Sequence, residues 1–306
     1  MPDWVPVFGP AFPGPGAPNW QTAYPTIVHA LWRFTGDTAL VERHWPHLQA
    51  YMAWYRRKLA AFPSFGDNPF QRTANGTLLT QVPPGDWCPA PARPGQWWNE
   101  ELNHSIHAQA LGELSCGSIT EISPAADYPS KLLTSAFSYL KDARNIQQMA
   151  AAIGRSDDPA AAGITPELAA NFNAAFFNGT AGAYGTGFQT EQLLPLLLGL
   201  PPTATETARV LSAFEGDFEG RHANHTTTGI VGLQALFELL PAVGRADLAV
   251  AMLLKTNYPS FGYGLTNQIE PGTTIWEVYD APFEGGSMDS RNHVMYATPS
   301  YFFFSA

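Results

Sequence analysis

Charge is what this sequence has least of. Asp, Glu, Lys and Arg make up only 14% of its 306 residues, where an ordinary soluble domain carries about 25%. Ser, Thr, Asn, Gln, Gly and aromatic groups must therefore cover much of the surface. Basic residues are scarcer than acidic ones, 16 against 26, which leaves a net charge of −10 and a pI near 5.2. The basic residues stand singly and form no stripe. Phosphate binding draws its affinity from Lys and Arg, so a nucleic-acid partner is not expected.

Cysteine is nearly missing as well. Cys88 and Cys116 are the only two, which excludes a disulfide-built scaffold and any cysteine-based zinc finger. Whether they meet is left open. No apolar run reaches the roughly 18 residues that cross a bilayer, and LLPLLLGL at 193–200 reads as a short buried helix, so no membrane partner is expected. The opening MPDWVPVFGPAFPGPGAPNW has no basic stretch followed by an apolar one; it reads as a loop rather than a signal peptide. Four N-x-S/T sequons, at Asn75, Asn103, Asn178 and Asn224, permit secretion without showing it. G-x-S-x-G, HExxH, P-loop and strand-borne G-x-G-x-x-G motifs are all lacking, and nothing calls for a cofactor.

What is present is helical periodicity. Residues 20–36 and 38–62 carry apolar side chains at helical spacing on either side of a break at Gly36 and Asp37, which predicts a helical hairpin. Residues 63–97 then run without a period and are rich in Pro and Gly, and so long an irregular link is usually functional. Helical patterns return at 98–115, 131–154 and 165–178, and three or four more lie between 188 and 256. Only short pieces near 76–82 and 258–269 alternate in the manner of strands. About ten helices joined by short links predict an all-α toroid or solenoid of hairpins. No fixed-period repeat is visible, which counts against ankyrin- or TPR-type arrays.

Candidate chemistry sits in the links and at helix ends. PNWQTA (18–23), GDWCP (85–89), GFQTEQ (187–192), HANHTTTGIVG (222–232), GTTIWEVYD (272–280) and SRNHVMY (290–296) bring together Trp, His and carboxylates. Nine tryptophans and eleven tyrosines are suggestive in such a chain, since flat amphipathic rings stack on sugars while their N–H and O–H groups bond hydroxyls. Taken singly, Trp20 and Trp87 also read as packed aromatics, Asp86 as a turn cap and His293 as a hydrogen-bonded core histidine. His222 and His225 lack the third ligand and the general-base Glu that a metal pair needs, so no metal is expected. Glu277 stands apart because TTIW before it predicts burial, and an uncompensated buried carboxylate costs several kcal/mol. Beside Trp276, it reads either as a general base that activates water or as an acidic residue in the first turn of a helix.

In their order and spacing these stretches resemble the catalytic barrel of the α-L-rhamnosidases of glycoside hydrolase family 78. The likeness runs from PDWVP through W-x-x-A and FTGD to GDW, FNAAFF, GFQTEQ, TTTGIVG, GRADLA, YPSFGY, GTTIWE and RNHVMY. It implies a six-hairpin (α/α)6 toroid and removal of terminal α-L-rhamnose from glycosides or polysaccharides with inversion. It also implies Glu277 as general base, His293 near the same site, and a rhamnose pocket drawing on Trp87, Asp86, Trp276 and Trp20. Against the family pattern, Thr22 in WQTA replaces the usual aspartate, and no D-E-R-x-G-W-x-G-D stretch, the type that carries the general acid, occurs among the 306 residues.

The expectation is thus one partial catalytic barrel over 1–306, incomplete at both ends, with no second domain. It should be nearly inactive alone and prone to associate through uncovered apolar helix faces. Two other readings stay open: a sugar-binding barrel fragment without catalysis, and a different six-hairpin glycosidase.

Overall fold

The computed structural model describes residues 18–60, 130–268, 271–277, 279 and 291–305. The chain divides into two compact units, one of residues 1–84 and 131–177, the other of 85–130 and 178–306. The described part of each is helical.

In the first unit α1 (Pro18–Gln21) and α2 (Ala23–Thr35) are followed by α3 (Thr38–Ala60) and α4 (Lys131–Ala152). The break predicted at 36–37 is real. Gly36 stops α2 in a left-handed conformation, φ 70°, with its N–H on the Trp32 carbonyl, and Asp37 Oδ1 accepts from Leu40 N at 3.1 Å to start α3. Val41, Trp45, Leu48, Met52 and Tyr55 form the buried stripe of α3, at the spacing that puts side chains on one helical face. Against it packs α4, which also touches α1 and α2. A 3-10 turn at Pro159–Ala161 and α5 (Pro166–Phe176) follow. Asp158 holds that turn, accepting from Ala160 N at 2.8 Å through one oxygen and from Trp45 Nε1 at 3.2 Å through the other.

The strands β1 (Phe177–Asn178), where the first unit gives way to the second, and β2 (Ala183–Tyr184) make a two-stranded sheet that no alternation in the sequence announces. The second unit continues with α6 (Gln189–Leu198), α7 (Ala204–Glu215), a π-helical turn at Gly216–Arg221, α8 (Ile230–Ala242) and α9 (Ala246–Leu253). Four helices thus occupy the region where three or four were expected. IVGLQALFELLPA is apolar on nearly every face, as suits a helix enclosed on all sides, and α8 packs on α6, α9 and α11 (Thr298–Ser305). Leu233, Leu236, Phe237 and Leu240 are fully buried there, and each such side chain contributes roughly 1.5–3 kcal/mol of apolar burial. Arg245 ties the end of α7 to the start of α9, bonding Glu215, Glu219 Oε1 at 2.8 Å and Asp247 Oδ1 at 3.1 Å.

Glu191, on the first turn of α6, is 1% exposed. Its Oε1 accepts from Ser130 N at 2.9 Å and its Oε2 from Thr186 N at 2.7 Å and Gly187 N at 3.1 Å. Burial raises this carboxyl above the ordinary range, and the backbone donors oppose the rise. Gly185 sits at φ +56° where a Cβ would collide with the Glu191 carboxylate, so glycine is required twice over.

Residues 258–269, expected to be strand-like in part, instead hold α10 (Phe261–Thr266). Ser260 supplies the reason, because its Oγ accepts from Tyr263 N at 2.9 Å and caps the turn. The irregular link at 63–97, the patterns at 76–82 and 98–115, and Cys88, Cys116, Asn75 and Asn103 lie outside the described residues. No helix among the described residues is long and apolar enough to cross a membrane.

Candidate active site

Two segments of the second unit lie side by side, 271–277 and 291–296. His293 N donates to Ile275 O at 2.7 Å, and the Thr274 hydroxyl donates to the Arg291 carbonyl. Gly272 N donates to Gly264 O at 2.7 Å, which anchors the first segment to α10. A Cβ on Gly272 would stand 3.0 Å from the Trp276 indole. The glycine leaves room for that ring against the backbone.

This register presents Glu277 to His293. Glu277 Oε2 lies 3.5 Å from His293 Nδ1, with the two side chains only 10% and 18% exposed. His293 Nε2 is buried and makes no hydrogen bond among the described residues. The ring packs 6.0 Å from Tyr296, one turn along the 3-10 segment Val294–Tyr296. Trp276 is buried beside Glu277. Neither Glu277 nor Tyr279 takes a helical conformation, which counts against Glu277 as an acidic residue in the first turn of a helix. The pair of Glu277 and His293 can take a proton from water at the carboxylate while the imidazole keeps its other nitrogen for a second polar group.

Of the other expected site residues, Trp20 is half-buried on α1 in the first unit. Asp86 and Trp87 lie outside the described residues. The stretch around Trp20 nevertheless holds a site that sequence reasoning missed. Thr22 Oγ1 donates to Asp142 Oδ1 at 2.5 Å, and Tyr51 OH donates to Asp142 Oδ2 at 2.6 Å. Asp142 is 0% exposed, and burial raises its carboxyl to about 7 although both hydroxyls and Lys141 pull it down. A carboxylate from α4 thus reaches the position where the sequence departs from W-x-D-A. The only sequence sign was an acidic residue on the helical face that carries Ser138, Tyr139, Asn145 and Ile146 in FSYLKDARNI.

The histidine pair of HANHTTTG is structural. His225 Nδ1 meets His222 O at 2.7 Å and its Nε2 meets Asn257 at 3.1 Å. His222 Nε2 is 3.5 Å from Asp217, and burial lowers its affinity for a proton, with Asp217 opposing. Gln189 fastens this loop to α6, donating to His225 O at 3.2 Å and accepting from Thr227 N at 2.9 Å. Among the described residues no three His, Cys, Asp or Glu side chains converge as metal ligands would.

The model of the bacterial α-L-rhamnosidase six-hairpin glycosidase domain matches residues 1–306. The chain belongs to that family. An α-L-rhamnosidase of Alteromonas sp. (strain LOR) is 23% identical over 298 residues, which are 94% of this chain and 27% of the relative. One from Formosa agariphila is 28% identical over 56% of this chain and 18% of its own length. The chain therefore spans about a quarter or less of the length of these relatives. Among solved structures, the α-L-rhamnosidase from Dictyoglumus thermophilum superimposes with a TM-score of 0.69 at 27% identity, over 95% of this chain and 27% of the other. That of Streptomyces avermitilis, complexed with L-rhamnose, gives 0.64 at 18% identity over 92% and 22%, and at that identity it speaks for the fold alone. This rhamnosidase-family chain is thus all-α and built on the six-hairpin plan.

Proposed function

We propose that this chain forms the water-activating side of an inverting α-L-rhamnosidase, one that removes terminal α-L-rhamnose from glycosides or polysaccharides. One observation carries the reading: in a member of the rhamnosidase domain family, the Glu277 carboxylate is buried 3.5 Å from the imidazole of His293. Inversion uses two carboxyl groups about 6.5–9.5 Å apart, one protonating the leaving oxygen and one deprotonating water on the opposite face of the sugar. Glu277 takes the water proton as the water oxygen bonds the anomeric carbon and the glycosidic C–O bond breaks. His293 steadies that carboxylate through Nδ1 and offers Nε2 to the sugar or the water. Trp276, Asp86 and Trp87 supply walls and polar edges of the rhamnose pocket, Trp20 is a sugar-contacting candidate of the first unit, and 1–306 is part of one barrel.

The 306 residues hold no D-E-R-x-G-W-x-G-D stretch, and general acid help is worth about 10² to 10⁴ in rate. Alone, this chain should hydrolyse an aryl α-L-rhamnoside only slowly. The test is release of nitrophenol from 4-nitrophenyl α-L-rhamnoside at high protein concentration, with the first-formed anomer read by NMR. Slow release of the β anomer, abolished in Glu277→Gln, supports the reading. An unchanged rate in that variant, or the α anomer first, overturns it.

A further inference from the structure

We infer that the second unit carries a binding site for a single planar aromatic ring, in the cavity walled by Phe261, Trp276, Tyr279 and Tyr296. The cavity has a volume of about 200 Å³. An apolar cavity of about 150 Å³ is known to take benzene, whereas drug-sized ligands occupy roughly 300–1,000 Å³. One ring with a small substituent fits; a disaccharide does not.

The chemistry of the walls selects the same class. Phe261 and Tyr279 lie 6.1 Å apart and edge-on at 65°, and Tyr279 and Tyr296 lie 5.6 Å apart at 80°. Such edge-to-face walls leave ring faces and edges for a further aromatic group. Of the four hydroxyl-bearing residues that line the cavity, Ser260 Oγ is engaged by Tyr263 N and Thr274 Oγ1 by the Arg291 carbonyl, and the other two hydroxyls belong to the wall rings of Tyr279 and Tyr296. The rest of the lining is aromatic and aliphatic, a surface that an apolar ring matches without needing hydrogen bonds.

Helix α10 keeps the cavity open at a cost. Gly262 is explained by packing, since a Cβ there would strike the Lys255 carbonyl. Gly264, which lines the cavity, is not: a Cβ there would meet nothing within 4 Å, and its φ lies outside the left-handed region. Glycine in a helix interior costs about 1 kcal/mol relative to alanine, and here the return is space. Leu265 stands at the rim, 52% exposed.

Two walls are shared with the Glu277 and His293 pair. Trp276 immediately precedes Glu277, and the Tyr296 ring packs against His293. A ring bound there would have one of two sources, the aglycone of an aryl glycoside or a separate phenol-like molecule. The aglycone source rests on the rhamnosidase reading; ring binding itself does not.

The experiment titrates the full chain with phenol and with 4-nitrophenol, in the absence of rhamnose, following tryptophan emission and calorimetric heat. Saturable binding, weakened at least about tenfold in Gly264→Leu, is the expected result. Gly264→Ala, a milder filling that favours the helix, should weaken it several-fold and keeps the test sound if the leucine variant fails to fold. No saturable binding by the parent chain, or equal binding by the parent and a folded Gly264 variant, overturns the inference. L-rhamnose binding is measured alongside, and its absence beside intact phenol binding counts against the rhamnosidase reading alone. Binding of aryl against methyl α-L-rhamnoside, followed by the same titration, then separates the sources. A selective loss of affinity for the aryl rhamnoside in the Gly264 variants identifies the aglycone, and an unchanged preference identifies a separate aromatic ligand.

Discussion

The backbone N–H of His293 donates to the carbonyl of Ile275 at 2.7 Å. Through that bond two segments remote in sequence share a register, and the register places His293 Nδ1 3.5 Å from the Glu277 carboxylate. Neither residue sits on a long helix. The pair depends on loop backbone held by hydrogen bonds and aromatic packing, as functional groups on a rigid helical scaffold often do.

Glu277→Gln keeps the size of the side chain and removes the base. It should lower hydrolysis of an aryl α-L-rhamnoside by about 10² to 10⁴ while L-rhamnose binding changes little. Single-turnover kinetics and a binding titration separate the two effects. Loss of binding equal to loss of rate would assign Glu277 to the pocket and not to the chemistry.

Thr274→Val tests the register. The hydroxyl bond to the Arg291 carbonyl is lost, and a bond of this kind is worth about 0.5–1.5 kcal/mol. The variant should melt a few degrees lower, and its rhamnose affinity should fall with the loosened pair. An unchanged melt and an unchanged affinity would show that the Ile275 and His293 bond alone holds the segments.

Asp142 makes stability depend on pH. In the unfolded chain this carboxyl ionises near 4; in the folded chain burial raises that point to about 7. The folded state thus retains the proton longer, and its advantage is full below pH 4 and lost as pH rises to 7. The total is on the order of 4 kcal/mol. In urea titrations Asp142→Asn should match the parent near pH 4 and exceed it above pH 7. Parallel pH profiles for the two proteins would contradict the assignment.

Glu191→Ala strips the acceptor from the N–H groups of Ser130, Thr186 and Gly187. Leaving a buried donor unpaired costs about 1–3 kcal/mol, so a loss of several kcal/mol is expected in the same titrations. A loss below about 1 kcal/mol would mean that water replaces the carboxylate.

Ile27, Leu31 and Phe34 are 58%, 47% and 66% exposed. Their spacing puts them on one face of α2. Exposed apolar stripes favour association, so Leu31→Gln with Phe34→Ser should shift the chain toward monomer in sedimentation velocity and leave its melt nearly unchanged. A parent chain that is already monomeric at high concentration would remove this face as the cause of association.

The helices were readable because their signals are local. Apolar spacing predicted α2, α3 and α4, and Gly36 with Asp37 marked the hairpin break where it occurs. α10 was misread because two glycines and aromatic residues in YPSFGY obscure a turn that the Ser260 cap starts. Glu277 and His293 were legible as candidates from residue type and order. The burial of Glu277 on irregular backbone was not, since it depends on residues 291–296 lying alongside. Thr22 with Asp142 could not be read at all, because the partners are 120 residues apart and meet only when α4 packs on α1 and α2.

By itself the sequence determined the helical content, the family and the types of group available for chemistry, since these follow from local periodicity and from motifs in fixed order. Tertiary structure decided which of those groups meet. It set Glu277 against His293, buried Asp142 under two hydroxyls, and left a ring-sized cavity beside Trp276. Each of these outcomes rests on hydrogen bonds and packing between segments far apart in the chain, and local sequence encodes no such distance.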